Sequence, residues 1–307
     1  MSSASVPAKT FNQKLREIKL ALSGAVELTD REREIYAEQL IIAAYQKHYG
    51  KKLSKMELYS LGLNLVPTEI ESDLRVMTGQ CLAGEPVQYV IGTQAFLDHE
   101  YRVSRDVLIP RPESESLVSL AIDILKEKPP AFGIELGIGS GIISIELLAR
   151  FPNLKMLASE LTLGAAQIAR DNANRILGTQ NSEQRLQIRA VKHAQDIWEP
   201  FTEVGPVADF FISNPPYLKS ENEAQARVVR TEPGEALFAP VDDPTYFYLR
   251  IAQRMTEFVK PGGYCFLEVP HERAKEILGI FSQMSGTARL IEDFTGRNRI
   301  LTFLLSA

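Results

Sequence analysis

Cysteine is nearly absent: two in 307 residues, Cys81 and Cys265, far apart and in no Cys-x-x-Cys spacing. This excludes a disulfide framework and a zinc–cysteine site, and a reduced, cytoplasmic protein is the expectation. Long apolar runs are also missing. Stretches such as Leu40-Ile41-Ile42-Ala43-Ala44 fall well short of the ~18 residues that a membrane helix needs. Met1-Ser2-Ser3-Ala4-Ser5 carries no basic segment ahead of an apolar one, so no secretory signal is expected. The four histidines, His48, His99, His193 and His271, follow no His-x-x-x-His pattern, and no metal is expected. Excess charge is small: 34 Lys and Arg against 39 Asp and Glu leave −5. This deficit speaks against a nucleic-acid surface, unless a basic patch stands apart from the mean. Residues 1–86 hold eleven basic and eleven acidic side chains, so the net charge resides on residues 87–307. The candidate patch is Lys47, Lys51, Lys52 and Lys55 around His48, a run that more often means a solvated helix end.

What is present is ordinary globular composition, 45% hydrophobic and 24% charged, on a chain long enough for a large core or two. The first 86 residues pattern as a helical bundle. Thr29 with Glu32, Ser54 with Glu57, and Thr68 with Glu71 have capping-box spacing. Ile70, Leu74, Met77 and Cys81 fall on one helical face, closed by Gly84, and Asp30 to Tyr49 has the same periodicity. Residues 87–112 are expected to be a hairpin linker, extended from Tyr89 to Val107 and ended by Pro110 and Pro112. From 113 to 307 strands and helices alternate. Strands are expected at Phe132–Leu136, Lys155–Glu160, Leu186–Lys192, Val207–Ser213 and Tyr264–Val269. A helix starting at Pro244 should run through Val259 and stop at Pro261-Gly262-Gly263. Two closing strands, near Ala288–Phe294 and Ile300–Leu305, suggest an antiparallel pair at the edge. Such alternation predicts an α/β fold with a mostly parallel sheet and helices on both faces.

Two segments carry chemistry. The first strand runs into Glu135-Leu136-Gly137-Ile138-Gly139-Ser140-Gly141 and then a helix, where glycines permit a tight turn and close ligand approach. Ile142 stands where a dinucleotide fingerprint needs its third glycine, so the pattern departs from that of NAD-binding proteins. Glu160 ends the following strand, where a carboxylate can accept both hydroxyls of a ribose. The second segment is Ser213-Asn214-Pro215-Pro216-Tyr217, directly after a strand. Two prolines stiffen the loop and leave carbonyls free to accept. The Asn214 side-chain oxygen and the Pro215 carbonyl can hold both hydrogens of a planar amino group, and Tyr217 offers a face for stacking. Such a grip suits methyl transfer to an amide or exocyclic amino nitrogen, whose delocalised lone pair must be turned toward the methyl carbon.

Asn-Pro-Pro-Tyr behind a Gly-x-Gly-x-Gly loop resembles the class I S-adenosylmethionine-dependent methyltransferases that act on amide or amino nitrogen. Gly84-Glu85-Pro86-Val87-Gln88-Tyr89, Leu108-Ile109-Pro110-Arg111-Pro112-Glu113 and Arg230-Thr231-Glu232-Pro233 with Ala236-Leu237 narrow this. They resemble the peptide chain release factor glutamine N5-methyltransferases (the HemK/PrmC family), in family order over about residues 65–307.

The resemblance implies a Rossmann-like, mostly parallel seven-stranded sheet with an antiparallel edge strand, behind an N-terminal helical substrate-recognition bundle. It further implies S-adenosyl-L-methionine as cofactor and the Gly-Gly-Gln glutamine of class I release factors as substrate. Gly137, Ile138, Gly139, Ser140 and Gly141 would cradle the methionine part of the cofactor. Glu160 would hold its ribose, Asp196 and Ile197 would lie at its adenine, and Asn214 near its methionine end. Asn214, Pro215, Pro216 and Tyr217 would grip the substrate glutamine, with Asn214, Pro215 and Tyr217 carrying the catalysis. Ser114 and Pro270 depart from the family pattern and could reshape the substrate rim. An N6-adenine methyltransferase on DNA or RNA, a glutamine methyltransferase acting on a ribosomal or other protein, and a binding module on an inactive fold are the alternatives.

Overall fold

The computed structural model describes residues 8–25, 27–194 and 196–307; the start of the chain, Met1 to Ser5, lies outside them. The chain divides into two compact units, Met1–Gly92 and Thr93–Ala307.

The first unit is built of helices α1 (Phe11–Ala21), α2 (Asp30–Tyr49), α3 (Lys55–Ser60), α4 (Thr68–Leu82) and α5 (Val87–Ile91). Ile18, Leu40, Ile41, Leu58, Ile70 and Leu74 meet in its core. The capping boxes at Thr29 and Ser54 form as their spacing predicts, and Thr10 with Gln13 makes one more at the start of α1. Thr68 does not cap. Pro67, with φ −60° and ψ 140°, occupies the cap position, so Thr68 is already helical and its side chain makes no capping bond. The expected extended stretch from Tyr89 is also helical at first. Pro86 caps α5, left-handed Gly92 closes it, and Val87 is buried in the helical core. The lysine cluster is met by carboxylates: Lys47 and His48 bind Asp73, Lys51 binds Glu57 and Lys55 binds Glu38. A basic patch that sequence spacing left open is thereby largely neutralised within the unit.

The second unit opens with the hairpin β1 (Thr93–Phe96) and β2 (His99–Arg102), followed by α6 (Pro112–Leu125). Then come β3 (Phe132–Leu136), α7 (Ile142–Arg150), β4 (Lys155–Glu160), α8 (Leu163–Leu177), α9 (Thr179–Arg185), β5 (Leu186–Ala190) and β6 (Ala208–Ser213). Short helices α10 (Ala226–Thr231) and α11 (Gly234–Leu237) precede α12 (Tyr246–Arg254), β7 (Val259–Glu268), α13 (Ala274–Phe281), β8 (Gly286–Glu292) and β9 (Asn298–Leu305). The seven strands order as β5-β4-β3-β6-β7-β9-β8. Strands β3 to β7 are parallel, and at this end of the sheet β9 runs antiparallel to both β7 and β8.

Alternation along each strand distributes the core over both faces. Ile134, Phe211 and Cys265 pack on one face with α12 and α13 residues, while Phe210, Ile212 and Phe266 pack on the other with α6 and α7 residues. The helix before β7 ends earlier than its periodicity predicts: α12 stops at Arg254, and Val259 already pairs with Ala208. Pro261-Gly262-Gly263 therefore forms an irregularity inside β7 instead of a helix stop, with Gly262 at φ 74°. A β-branched valine opposite a strand partner wins over the helical spacing there.

Gly133 marks the tightest point of the central strand, because a Cβ there would run into the Phe210 ring and the Met156 sulfur. Gly133→Ala is expected to cost about 1–3 kcal/mol of unfolding free energy, read from urea denaturation. A loss under a few tenths would show that the sheet yields at this point.

Candidate active site

The chain order reverses direction around β3, whose neighbours are β4 on one side and β6 on the other. At such a switch point the loops leaving the strands' carboxyl ends diverge and open a crevice. A cleft of about 1080 Å³, part of it open to solvent, lies there.

Its base is the loop after β3. Gly137, Gly139 and Gly141 have φ of 72°, 53° and 89°, conformations that side chains resist. A Cβ on Gly137 or Gly139 would stand in open space, whereas one on Gly141 would press on Ile145 at 2.6 Å. The first two glycines therefore leave room on the cleft side, and the third seats α7. The loop is held from below: Ile138 N–H donates to the Ser159 carbonyl at 2.9 Å, and Asn172 Nδ2 donates to the Ser140 carbonyl at 2.9 Å. Gly137 to Ser140 all line the cleft.

Glu160, the last residue of β4, lines the cleft and is gripped by backbone. Gly139 N–H donates to its Oε2 at 3.0 Å, while the Leu161 and Thr162 N–H groups donate to Oε1 at 2.8 and 3.0 Å. Oε1 also accepts the Thr162 hydroxyl, which fills it, whereas Oε2 keeps capacity for a further donor. Sequence spacing gave Glu135 no role, yet it too lines the cleft, with 1% of its surface exposed. Its Oε2 accepts from the Ser144 N–H and hydroxyl, and its Oε1 finds no partner among the described residues. Burial pushes this carboxyl up to about 8. The signal was available in principle, as an acid inside a strand that is otherwise apolar.

Opposite the glycine loop, Ser213 Oγ donates to the Leu136 carbonyl at 2.8 Å and ties the end of β6 to the end of β3. Asn214, Pro215 and Pro216 then line the cleft. Tyr217 does not. After the two prolines the chain bridges to the segment beyond α11, Leu218 N–H donating to the Leu237 carbonyl at 2.9 Å, and the tyrosine packs back against the core. Burial and the nearby Glu268 charge push its hydroxyl up to about 12, opposed by the positive charges of Arg299 and Arg111. Tyr217 is half-buried, on the core cluster that also holds Ile197 and Phe247.

The two residues expected at the adenine side differ in exposure. Ile197 is buried and lines the cleft, but Asp196 is exposed and lines a neighbouring depression with Trp198, Glu199 and Arg250. Strand β5 ends at Ala190, where its pairing with Glu160 ends, so Asp196 lies in the following loop and not at a strand end.

The remaining wall joins two segments distant in sequence. Arg111 Nη2 donates to Glu232 Oε1 at 2.5 Å, and Ile109 N–H donates to Glu232 Oε2 at 3.1 Å. Leu108, Pro110 and Arg111 face the cleft from one segment, and Pro233, Glu235 and Ala236 from the other. Glu232 is buried and Arg111 partly exposed, so removing the carboxylate strands two donors. Glu232→Ala is expected to lower unfolding free energy by about 2–4 kcal/mol, measured by chemical denaturation. An unchanged midpoint would mean that water replaces the clasp. Among the described residues no group of three or more His, Cys, Asp or Glu is placed to hold a metal ion.

No protein-family model matches the chain. Curated relatives do. A release factor glutamine methyltransferase of Bacteroides thetaiotaomicron is 35% identical over 222 residues, covering 71% of this chain and 75% of that protein. Its namesake from Streptococcus pneumoniae is 32% identical, over 72% and 76% of the two chains. A third, from Aquifex aeolicus, is 28% identical over 82% and 86%. The glycine cradle, the β3/β6 switch point and the Asn-Pro-Pro loop lie in one cleft of a protein so related, and the chain belongs to the family of release factor glutamine methyltransferases.

Proposed function

We propose that this protein methylates the side-chain amide nitrogen of a protein glutamine, that of the Gly-Gly-Gln loop of class I peptide chain release factors, with S-adenosyl-L-methionine as methyl donor. The observation that carries the reading is the position of Asn214 and Pro215 in the cleft across from the glycine cradle.

The cleft's own chemistry fits this donor. The orphaned Glu135 Oε1 suits the ammonium of an amino-acid moiety, and the space above Gly137 and Gly139 is what a side chain would have filled. Glu160 Oε2 retains acceptor capacity for a ribose hydroxyl, and Ile197 supplies apolar surface for a purine. When bound, S-adenosylmethionine supplies a methyl group on a sulfonium sulfur, which departs as a neutral thioether.

An amide nitrogen is a poor nucleophile because its lone pair is delocalised into the carbonyl. Asn214 Oδ1 and the Pro215 carbonyl would accept its two N–H bonds, fixing the plane of the group and facing its lone pair toward the cradle. The same two acceptors stabilise the positive charge that grows on nitrogen. The excess proton then becomes strongly acidic and passes to water without a dedicated base. Pro215 and Pro216 contribute stiffness, since a loop that yields would forfeit the fixed geometry.

The helical unit, residues 1–86 by sequence pattern, is read as the part that recognises the release factor, with the cytoplasm as the place of action. Incubation with labelled donor and three candidate acceptors, a class I release factor, a ribosomal protein and duplex DNA, tests the substrate. Label in the release factor supports the reading; label confined to either of the others defeats it.

A further inference from the structure

Asn214 can serve as an acceptor only if its amide is the right way round. Turned by half a revolution, it would present N–H groups to the N–H groups of the substrate. The orientation is set from behind. Asn214 Nδ2 donates to Ser114 Oγ at 3.2 Å, and Ser114 Oγ in turn donates to Glu268 Oε2 at 2.6 Å. Ser114 is on α6, and Glu268 is the last residue of β7; they are 1% and 2% exposed.

A serine hydroxyl has one proton. Here it is committed to the carboxylate, so Ser114 can meet Asn214 only as an acceptor, and only the Nδ2 end of the amide is attractive to it. With Nδ2 held there, Oδ1 is left for the cleft. Three residues separated by 100 and 154 positions in sequence thus act in series.

We propose that Glu268 is a positioning residue, which through Ser114 fixes the side-chain amide of Asn214 with its oxygen toward the substrate. The proposal rests on the methyltransferase reading above and adds the device that orients its principal acceptor. The backbone of Glu268 has a separate task, accepting the Tyr248 hydroxyl at 2.9 Å, so the carboxylate is distinguishable from a purely architectural role.

The device carries a pH signature. Burial pushes the Glu268 carboxyl up to about 7, opposed by the Ser114 bond and by Arg299 and Arg111, while Glu113 reinforces the rise; Tyr217 and Tyr248 also face it. Once protonated, the carboxyl becomes a donor to Ser114, whose own proton is freed for Asn214 Oδ1. The amide then loses its preferred orientation, and turnover falls as pH drops through about 7.

Three variants of the full chain test this, assayed with S-adenosylmethionine and whichever acceptor the wild type methylates. Glu268→Met keeps the bulk and removes the acceptor: kcat is expected to fall about 100-fold, with donor affinity and thermal midpoint near wild type. Glu268→Gln mimics the protonated carboxyl, donor and acceptor together, so turnover should be low at every pH, without the acid limb near pH 7. Ser114→Ala cuts the series at its middle, and about a tenfold or greater loss of kcat is expected. This variant decides the matter should Glu268→Met fail to fold. Turnover within threefold of wild type in Glu268→Met or Ser114→Ala overturns the proposal, as does an unchanged acid limb in Glu268→Gln. Wild-type activity on DNA or a ribosomal protein alone would defeat the release-factor reading while leaving the positioning of Asn214 testable on that acceptor.

Discussion

Asn214→Ala is expected to lower kcat by about 10²–10³-fold or more, with the thermal midpoint moved by only a few degrees. The side chain lines the cleft, and among the described residues it bonds Ser114 at 3.2 Å. Truncation therefore removes one of the two acceptors at the reacting nitrogen while disturbing one hydrogen bond of the fold, worth about 1 kcal/mol. The loss should appear in kcat more than in KM, because the acceptor gains strength as charge develops on nitrogen. Single-turnover rates with saturating donor separate the two. Near-normal turnover would mean that the Pro215 carbonyl suffices, and the two-acceptor mechanism would fail.

Glu160→Ala is expected to weaken donor binding by about 100-fold or more. Two effects add. The variant loses the Oε2 acceptor for a ribose hydroxyl, and it releases the N–H groups of Gly139, Leu161 and Thr162 that the carboxylate now holds. Bonds to a charged acceptor are worth about 1.5–3 kcal/mol each, and each 1.4 kcal/mol is roughly tenfold in affinity. Calorimetric titration with S-adenosylmethionine measures the change directly. Glu160→Gln, which keeps one acceptor oxygen, should fall between the two. An affinity within threefold of wild type in Glu160→Ala would remove the ribose role and leave only a loop brace.

Much of this was legible because it is local. The glycine loop, the strand before it and Glu160 two elements on are read from spacing, since positive φ, strand alternation and strand ends are properties of neighbours in sequence. Asn214-Pro215-Pro216 was legible for the same reason. What escaped is non-local. Ser114 stood out only as a departure from a family pattern, and nothing in its neighbourhood announces Glu268, 154 positions away. The clasp of Arg111 on Glu232 likewise links two motifs that sequence order keeps apart.

Two of the expected site residues have surroundings that sequence spacing does not show. Tyr217 adjoins the prolines in sequence, and its ring packs on the core cluster of the sheet. Asp196 lies six residues beyond the end of β5 at Ala190, exposed in the loop that follows. In the fold, Phe258 and Val259 share the helical spacing of α12 yet belong to a turn and a strand, because burial on either side of Met255 satisfies the same period.

The substrate claim and the acceptor geometry converge on one atom, the side-chain nitrogen of a single glutamine. Fragment mass spectrometry of a class I release factor treated with the enzyme and S-adenosylmethionine locates the added methyl. One methyl on the side-chain nitrogen of the Gly-Gly-Gln glutamine is the predicted result, absent from the Asn214→Ala reaction. A methyl on any other residue, or no transfer to the release factor under conditions where another acceptor is methylated, would contradict it.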